Sequence, residues 1–151
     1  MGNAASTTTK ALFQTALILL LGAALGAHIT TKPGGWLALI VLITLFTIGF
    51  AGIALAVASR SSSIMGYHGM LFLFNLPLLF ASNALYPLLR MPEWIRIMAM
   101  LNPTTYLIDA LRALVFGGTA TLPLVLSFGV VTLLAVFGMG LALLSFRHTL
   151  R

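Results

Sequence analysis

Carboxylates are almost absent from this chain: of 151 residues only Glu93 and Asp109 carry one. They fall in separate segments with no third polar group beside either, which excludes a two-carboxylate hydrolase. Cysteine is missing altogether, and with it disulfides, thiolate nucleophiles and Cys-based metal sites. His28, His68 and His148 lie at the ends of different apolar segments, a pattern of interfacial polar residues rather than of a metal-ligand set. No Gly-x-x-x-x-Gly-Lys-Ser/Thr run occurs, so the chain has no P-loop with which to bind ATP itself. Charge of any kind is scarce, at 7% of residues against about 25% in soluble domains. None of it falls inside the long apolar runs, which leaves proton- or sodium-coupled transport without a carrier group and disfavours a small four-span drug/proton antiporter.

What is present is apolar. Hydrophobic residues make up 60% of the chain and its mean hydropathy is +1.11, the composition of one membrane domain with no room for a second soluble module. The net charge of +6 comes from eight Lys and Arg. In so apolar a chain it suits anionic lipid head groups, because no basic face with interleaved aromatics exists for nucleic acid.

A helix needs roughly 20 apolar residues to cross a ~30 Å hydrocarbon core. Four segments qualify: Ala11 to Ile29, Trp36 to Ala58, Ile64 to Leu88 and Leu122 to Phe146. A polar tail, residues 1–10, precedes them, and a basic tail, 147–151, follows. Backbone groups in lipid must be paired within the segment, so runs this long are helices and the fold is an all-α membrane protein. The connection from Leu89 to Gly118 is too long for a turn and too apolar for a solvated loop. Pro92 with Glu93 reads as one helix start, and Asn102 with Pro103 as a second that ends at Gly117-Gly118. Trp94, Ile95, Met98 and Leu101 recur at helical spacing between them. This predicts a helical hairpin lying in, or dipping into, the membrane interface.

Basic residues divide equally between the two sides: Lys10, Arg60, Arg147 and Arg151 against Lys32, Arg90, Arg96 and Arg112. The positive-inside rule therefore gives no orientation. Asp109–Arg112 and Glu93–Arg96 are each three apart and are expected to pair on a helix face. Such pairs read either as interfacial salt bridges or as gate contacts at the mouth of a pathway. Asn75, Ser82 and Asn83 are the polar groups of the third span. Asn75 and Ser82 are expected on one helix face with Pro77 between them, Ser82 relieving a carbonyl nearby. Two roles are open to them, helix packing and lining of a substrate path. Gly22 and Gly26, Gly49 and Gly52, and Gly138 and Gly140 are expected to favour close helix packing.

Three stretches together resemble the C-terminal half of the ATP-binding-cassette (ABC) type-2 exporter permeases, nearest the daunorubicin-resistance and nodulation-export branch. They are GIALAVASRSSS at 52–63, NLPLLFASNALYPL at 75–88 and MPEWIRIMAMLNPTTYLIDALR at 91–112. The family's proline-tryptophan helix start matches Pro92 and Trp94. Its Asn-Pro-x-x-Tyr-x-x-Asp-x-x-Arg matches Asn102, Pro103, Tyr106, Asp109 and Arg112. Asn83 departs from the pattern, standing where the family has Gly. The resemblance implies a six-span permease that dimerises and is driven by two cytoplasmic ATPase subunits, which bind the ATP. It implies a cytoplasmic C-terminus and Arg60 loop in the cell membrane, with the hairpin on the outer side. The family carries two spans and a coupling helix before the region that starts at Lys10; their absence here fits a truncated gene, a split permease whose N-terminal half is a separate chain, or a C-terminal piece of a longer protein. The alternative is a non-transport membrane scaffold or assembly subunit that keeps the permease fold. Drug-like, lipid-like and glycan substrates all fit the resemblance.

Overall fold

The computed structural model describes residues 2–61, 63–117 and 120–149. Among these the chain is helical: α1 Gly2–Ala24, α2 Pro33–Ala58, α3 Ile64–Phe80, a single 3-10 turn at Leu88–Arg90, α4 Glu93–Leu101, α5 Pro103–Phe116 and α6 Leu124–Thr149. Three helices are long and apolar enough to cross a membrane, over Ser6–Ala24, Pro33–Ala58 and Leu124–Ser145; α3 is a shorter apolar helix.

The helices differ in extent from the spans expected, for local reasons. Residues 2–10, read as a polar tail, continue α1. Extending an existing helix costs far less than starting one, and hydroxyls can turn back on the preceding turn, as Thr15 does to the Ala11 carbonyl at 2.8 Å. At its other end α1 stops at Ala24, short of Ile29. Gly26 there has φ +90°, its N–H donates to the Ala23 carbonyl and that of Ala27 to Gly22. These are the two bonds of a Schellman cap, which needs a glycine in the left-handed region. The Gly22/Gly26 pair is therefore a helix stop and not a packing face. The helix α2 starts at Pro33, the favoured first position. Its C-terminal carbonyls are met by the hydroxyls of Ser59 and Ser61, while Ser63 caps α3 through the Gly66 N–H. At the C-terminus α6 runs on to Thr149; Leu150 and Arg151 lie outside the described residues.

The most extensive packing is between α2 and α6. It depends on an absence of side chains. A Cβ on Gly52 would collide with the backbone of Gly138, one on Gly138 with the backbone of Gly49, and one on Gly49 with that of Leu134. Gly140 faces open space and takes no part. Above this crossing, Leu42 of α2, Leu107 and Ala110 of α5 and Val131 of α6 form the principal buried cluster. A second cluster joins Leu39, Ile43 and Val115 to α1 and to Ile29. The loop after α1 is tied to the end of α5, because the Thr30 N–H and the Thr31 hydroxyl both donate to the Val115 carbonyl, at 3.0 and 3.3 Å.

The third expected span is interrupted. Its helix ends at Phe80, and residues 81–87 form turns. Seventeen residues give about 25 Å of helix, short of a full crossing. Pro77 withholds an N–H from the helix ladder one turn before this end. In α3, as in the described part of α1, no residue is buried.

Candidate functional site

The hairpin is built on Asn102, which is buried between α4 and α5. Its Oδ1 accepts from the Thr104 N–H at 2.9 Å and so caps α5. Its Nδ2 donates to the Leu78 carbonyl at 2.7 Å and to the Ala81 carbonyl at 3.0 Å, the open end of α3. One amide thereby satisfies orphan groups at two helix ends, using both donors and an acceptor. The C-terminal end of α3, partly negative, meets the N-terminal end of α5, partly positive, so the dipoles reinforce the junction. Pro103 stands at the first position of α5. The Tyr106 hydroxyl donates to the Met100 carbonyl at 2.7 Å, holding α4 against α5.

Two turns further along α5, Asp109 is 3% exposed. The expected Asp109–Arg112 pair does not form. Asp109 Oδ2 accepts from the Leu122 N–H at 2.8 Å, and Oδ1 faces Asn83 Nδ2 at 3.5 Å. Arg112, whose side chain is exposed, donates to the Asn83 carbonyl at 3.1 Å. Asn83 inserts between acid and base and binds each with a different group. The side chain that occupies the expected glycine position is thus the link between the two charged residues of α5. No Glu93–Arg96 contact is recorded among the described residues either. Glu93 lies in the first turn of α4, where the free N–H groups and the dipole stabilise it without a cation.

The other candidates separate. Ser82 lies beyond the end of α3, so it shares no helix face with Asn75. It is fully buried, and its hydroxyl donates to the Leu79 carbonyl at 2.8 Å, an orphan of the helix end and not the group that Pro77 frees. Asn75 is exposed on α3. On α4 the spacing proposed from sequence holds only in part. Ile95 packs inward with Ala99 against Leu88, Met91 and Leu122. Trp94, Met98 and Leu101 point out, with Trp94 67% exposed. Pro92 precedes α4 and is exposed. Gly117 ends α5 in the left-handed region, φ +67°, as its composition suggested; Gly118 lies outside the described residues.

Beside the junction lies a cavity of about 780 Å³ bounded by α1, α2, α3, α5 and α6. Its walls are apolar, with Phe46, Phe50, Phe74 and Phe137 and, among the described residues, no charged side chain; Thr7, Gln14, Thr15, Thr47 and Asn75 supply the polar groups. The rings of Phe46 and Phe50, one turn apart on α2, lie 4.6 Å apart and tilted by 34°. Pro103 and Leu107 bring α5 to this wall. Sequence reasoning did not reach the cavity's α1 and α2 residues, because Thr and Phe at helical spacing look like ordinary lipid-facing or packing positions. Thr105 and Ser127, buried on α5 and α6, were missed for the same reason.

An all-helical chain with three apolar helices of spanning length has the make-up of a multi-pass membrane protein, and comparison with known proteins gives its family. Residues 1–116 match the model of the family described as ABC-2 type transporter. The chain belongs to that family. It is similar to proteins named "Putative transport permease ycf38": from Porphyra purpurea at 35% identity over 72 residues, 48% of this chain and 25% of the relative, and from Cyanophora paradoxa at 53% over 45 residues, 30% and 16% respectively. The Pyropia yezoensis relative is 36% identical over 74 residues, 49% of this chain and 25% of its own length. The matched stretch thus spans about a quarter or less of these relatives. No solved structure matches.

Proposed function

We propose that this chain forms the membrane-spanning part of an ABC-type exporter, with α1, α2, α6 and the broken α3 as four spans and α4–α5 as a hairpin on the outer side. The observation that carries this reading is the uncharged cavity of about 780 Å³ beside the α3–α5 junction. A volume of this order suits a drug-sized molecule, and an apolar wall with a few polar groups is the usual lining for one. An amphipathic substrate, lipid-like or drug-like, fits that wall better than a bare glycan, which would strand its hydroxyls. Asn75 would meet the substrate's polar part. Ser82 and Asn83 act in packing rather than in the path.

Energy would come from separate ATPase subunits that hold the ATP, and a second permease copy or an N-terminal half would complete the pathway. Alternating access then consists of the pathway opening to each side in turn as the ATPases close. The C-terminus and the Arg60 loop lie in the cytoplasm in this reading, with the chain in the cell membrane. Expression with a cognate ATPase subunit and the upstream spans tests it. The expected result is co-purification and ATPase turnover that an amphipathic substrate stimulates and Asn75→Leu reduces. Assembly without stimulation by any substrate favours the scaffold instead.

A further inference from the structure

A groove of about 360 Å³ lies between α1, α2 and α5 and adjoins the larger cavity, sharing Thr15, Ile18 and Leu111 with it. Leu19, Ile108 and Phe116 continue its apolar wall, and Arg112 is its one charged side chain among the described residues. The Thr15 hydroxyl is taken by the Ala11 carbonyl, so the guanidinium is the polar group the groove has to offer. Arg112 donates once, to the Asn83 carbonyl, while Asp109, one turn away, is turned to Leu122 and Asn83. An arginine has five N–H donors, and among the described residues no carboxylate pairs with this one. The groove also has a direction across the membrane. Helices α1 and α2 are both of spanning length, so the loop joining them lies at one surface. Thr30 and Thr31 of that loop bond to the Val115 carbonyl, one turn beyond Arg112. Thr15 lies near the middle of the apolar stretch Ser6–Ala24. The cation therefore sits toward the surface, and the apolar wall reaches toward the bilayer centre.

We propose that this groove binds one anionic phospholipid, its phosphate on Arg112 and an acyl chain along Ile18, Leu19 and Ile108. A cation at head-group depth above an apolar wall repeats the polarity of a lipid, and its charge is the complement of a phosphate. Arginine suits the task, because its planar fork can give a phosphate two parallel N–H···O bonds. Being exposed, the guanidinium keeps its contact with the watery head-group layer while its stem lies against apolar surface. The larger cavity has no charged side chain among the described residues, so it has nothing with which to select an anion. The groove does, and it discriminates by head group. A lipid held there ties α5, one arm of the hairpin, to α1. The proposal stands apart from the transport reading, since it needs only that α1 and α2 cross the membrane.

Native mass spectrometry of the full chain in an uncharged detergent tests it, with phosphatidylglycerol, phosphatidylcholine and glycerol phosphate as probes. The expected result is one phosphatidylglycerol retained per chain, with phosphatidylcholine held about tenfold more weakly or less and glycerol phosphate not retained. Arg112→Gln, which keeps a donor for the Asn83 carbonyl, should remove the preference for phosphatidylglycerol. Ile108→Trp, which fills the groove and leaves the cation, should weaken retention of both lipids. Arg90→Gln, an exposed arginine outside the groove, should change neither. Equal weakening by Arg90→Gln and Arg112→Gln would show a diffuse attraction of the basic chain for anions and overturn the proposal. Retention of glycerol phosphate as tight as that of the lipid would assign Arg112 to a free anion and overturn it as well. A chain that self-associates, retains neither lipid and becomes monomeric as Ile108→Trp would have its groove covered by a second copy, which also overturns it.

Discussion

At the scale of single residues, Asn102 carries more of the structure than any charged group. Replacement by alanine would leave the Leu78 and Ala81 carbonyls and the Thr104 N–H without partners. The expected loss is about 2 kcal/mol or more, read as a lowered unfolding midpoint. Asn102→Asp separates the two halves of its role. It keeps the cap on α5 but turns an acceptor, and a charge, toward two carbonyls, so it should be no better than alanine. Asp109 allows a similar comparison. Asp109→Asn preserves an acceptor for the Leu122 N–H, and the new amide can donate to Asn83 Oδ1, which has no partner in the protein. Asp109→Leu satisfies neither neighbour. Asp109→Leu should therefore cost more stability than Asp109→Asn, and equal losses for the two variants would sink the account of the cluster. Asn102 was visible in the sequence as a cap for α5, since Asn-Pro is a start signal. Its second task, closing α3, was not, because that contact joins residues more than twenty apart in the chain.

Among the helices, the α2–α6 crossing makes the sharpest prediction. A side chain on Gly52 meets the backbone of Gly138, which cannot yield as a flexible side chain can. Gly52→Val and Gly138→Val should each cost about 3 kcal/mol or separate the helices, whereas Gly140→Ala, in open space, should be close to neutral. Protease sensitivity or thermal unfolding of the three variants distinguishes them. The helical class and the starts of α4 and α5 were legible, because apolar length and the Pro92 and Asn102-Pro103 signals are local. What could not be read was where helices end under tertiary influence. A run of apolar residues from Ile64 to Leu88 gives no sign that the helix stops at Phe80, since the termination rests on Asn102 and Ser82 reaching back to its carbonyls. The same limit applied to the charges. Spacing paired Asp109 with Arg112, but the residue between them came from another segment.

For the molecule as a whole, the exposed amide of Asn75 and the unburied α3 bear on assembly. Because the chain has no cysteine, Asn75→Cys introduces a single thiol. If α3 forms the seam of the proposed dimer, oxidation in membranes should give a disulfide-linked pair that a reducing agent dissolves; a cysteine at Leu133, exposed on α6, should not cross-link. Cross-linking at Leu133 and not at Asn75 would move the seam to α6. The junction at Asn102 also bears on how the protein is made. The last turn of α3 is not closed by its own neighbours alone, and it acquires its final partner only when the chain has grown 21 residues past Ala81. A nascent chain that has just inserted α3 therefore holds two open carbonyls in an apolar setting, and the hairpin must be synthesised and folded back before that end is at rest. The order of assembly is set by the position of one amide: α3 cannot be finished before α5 has begun.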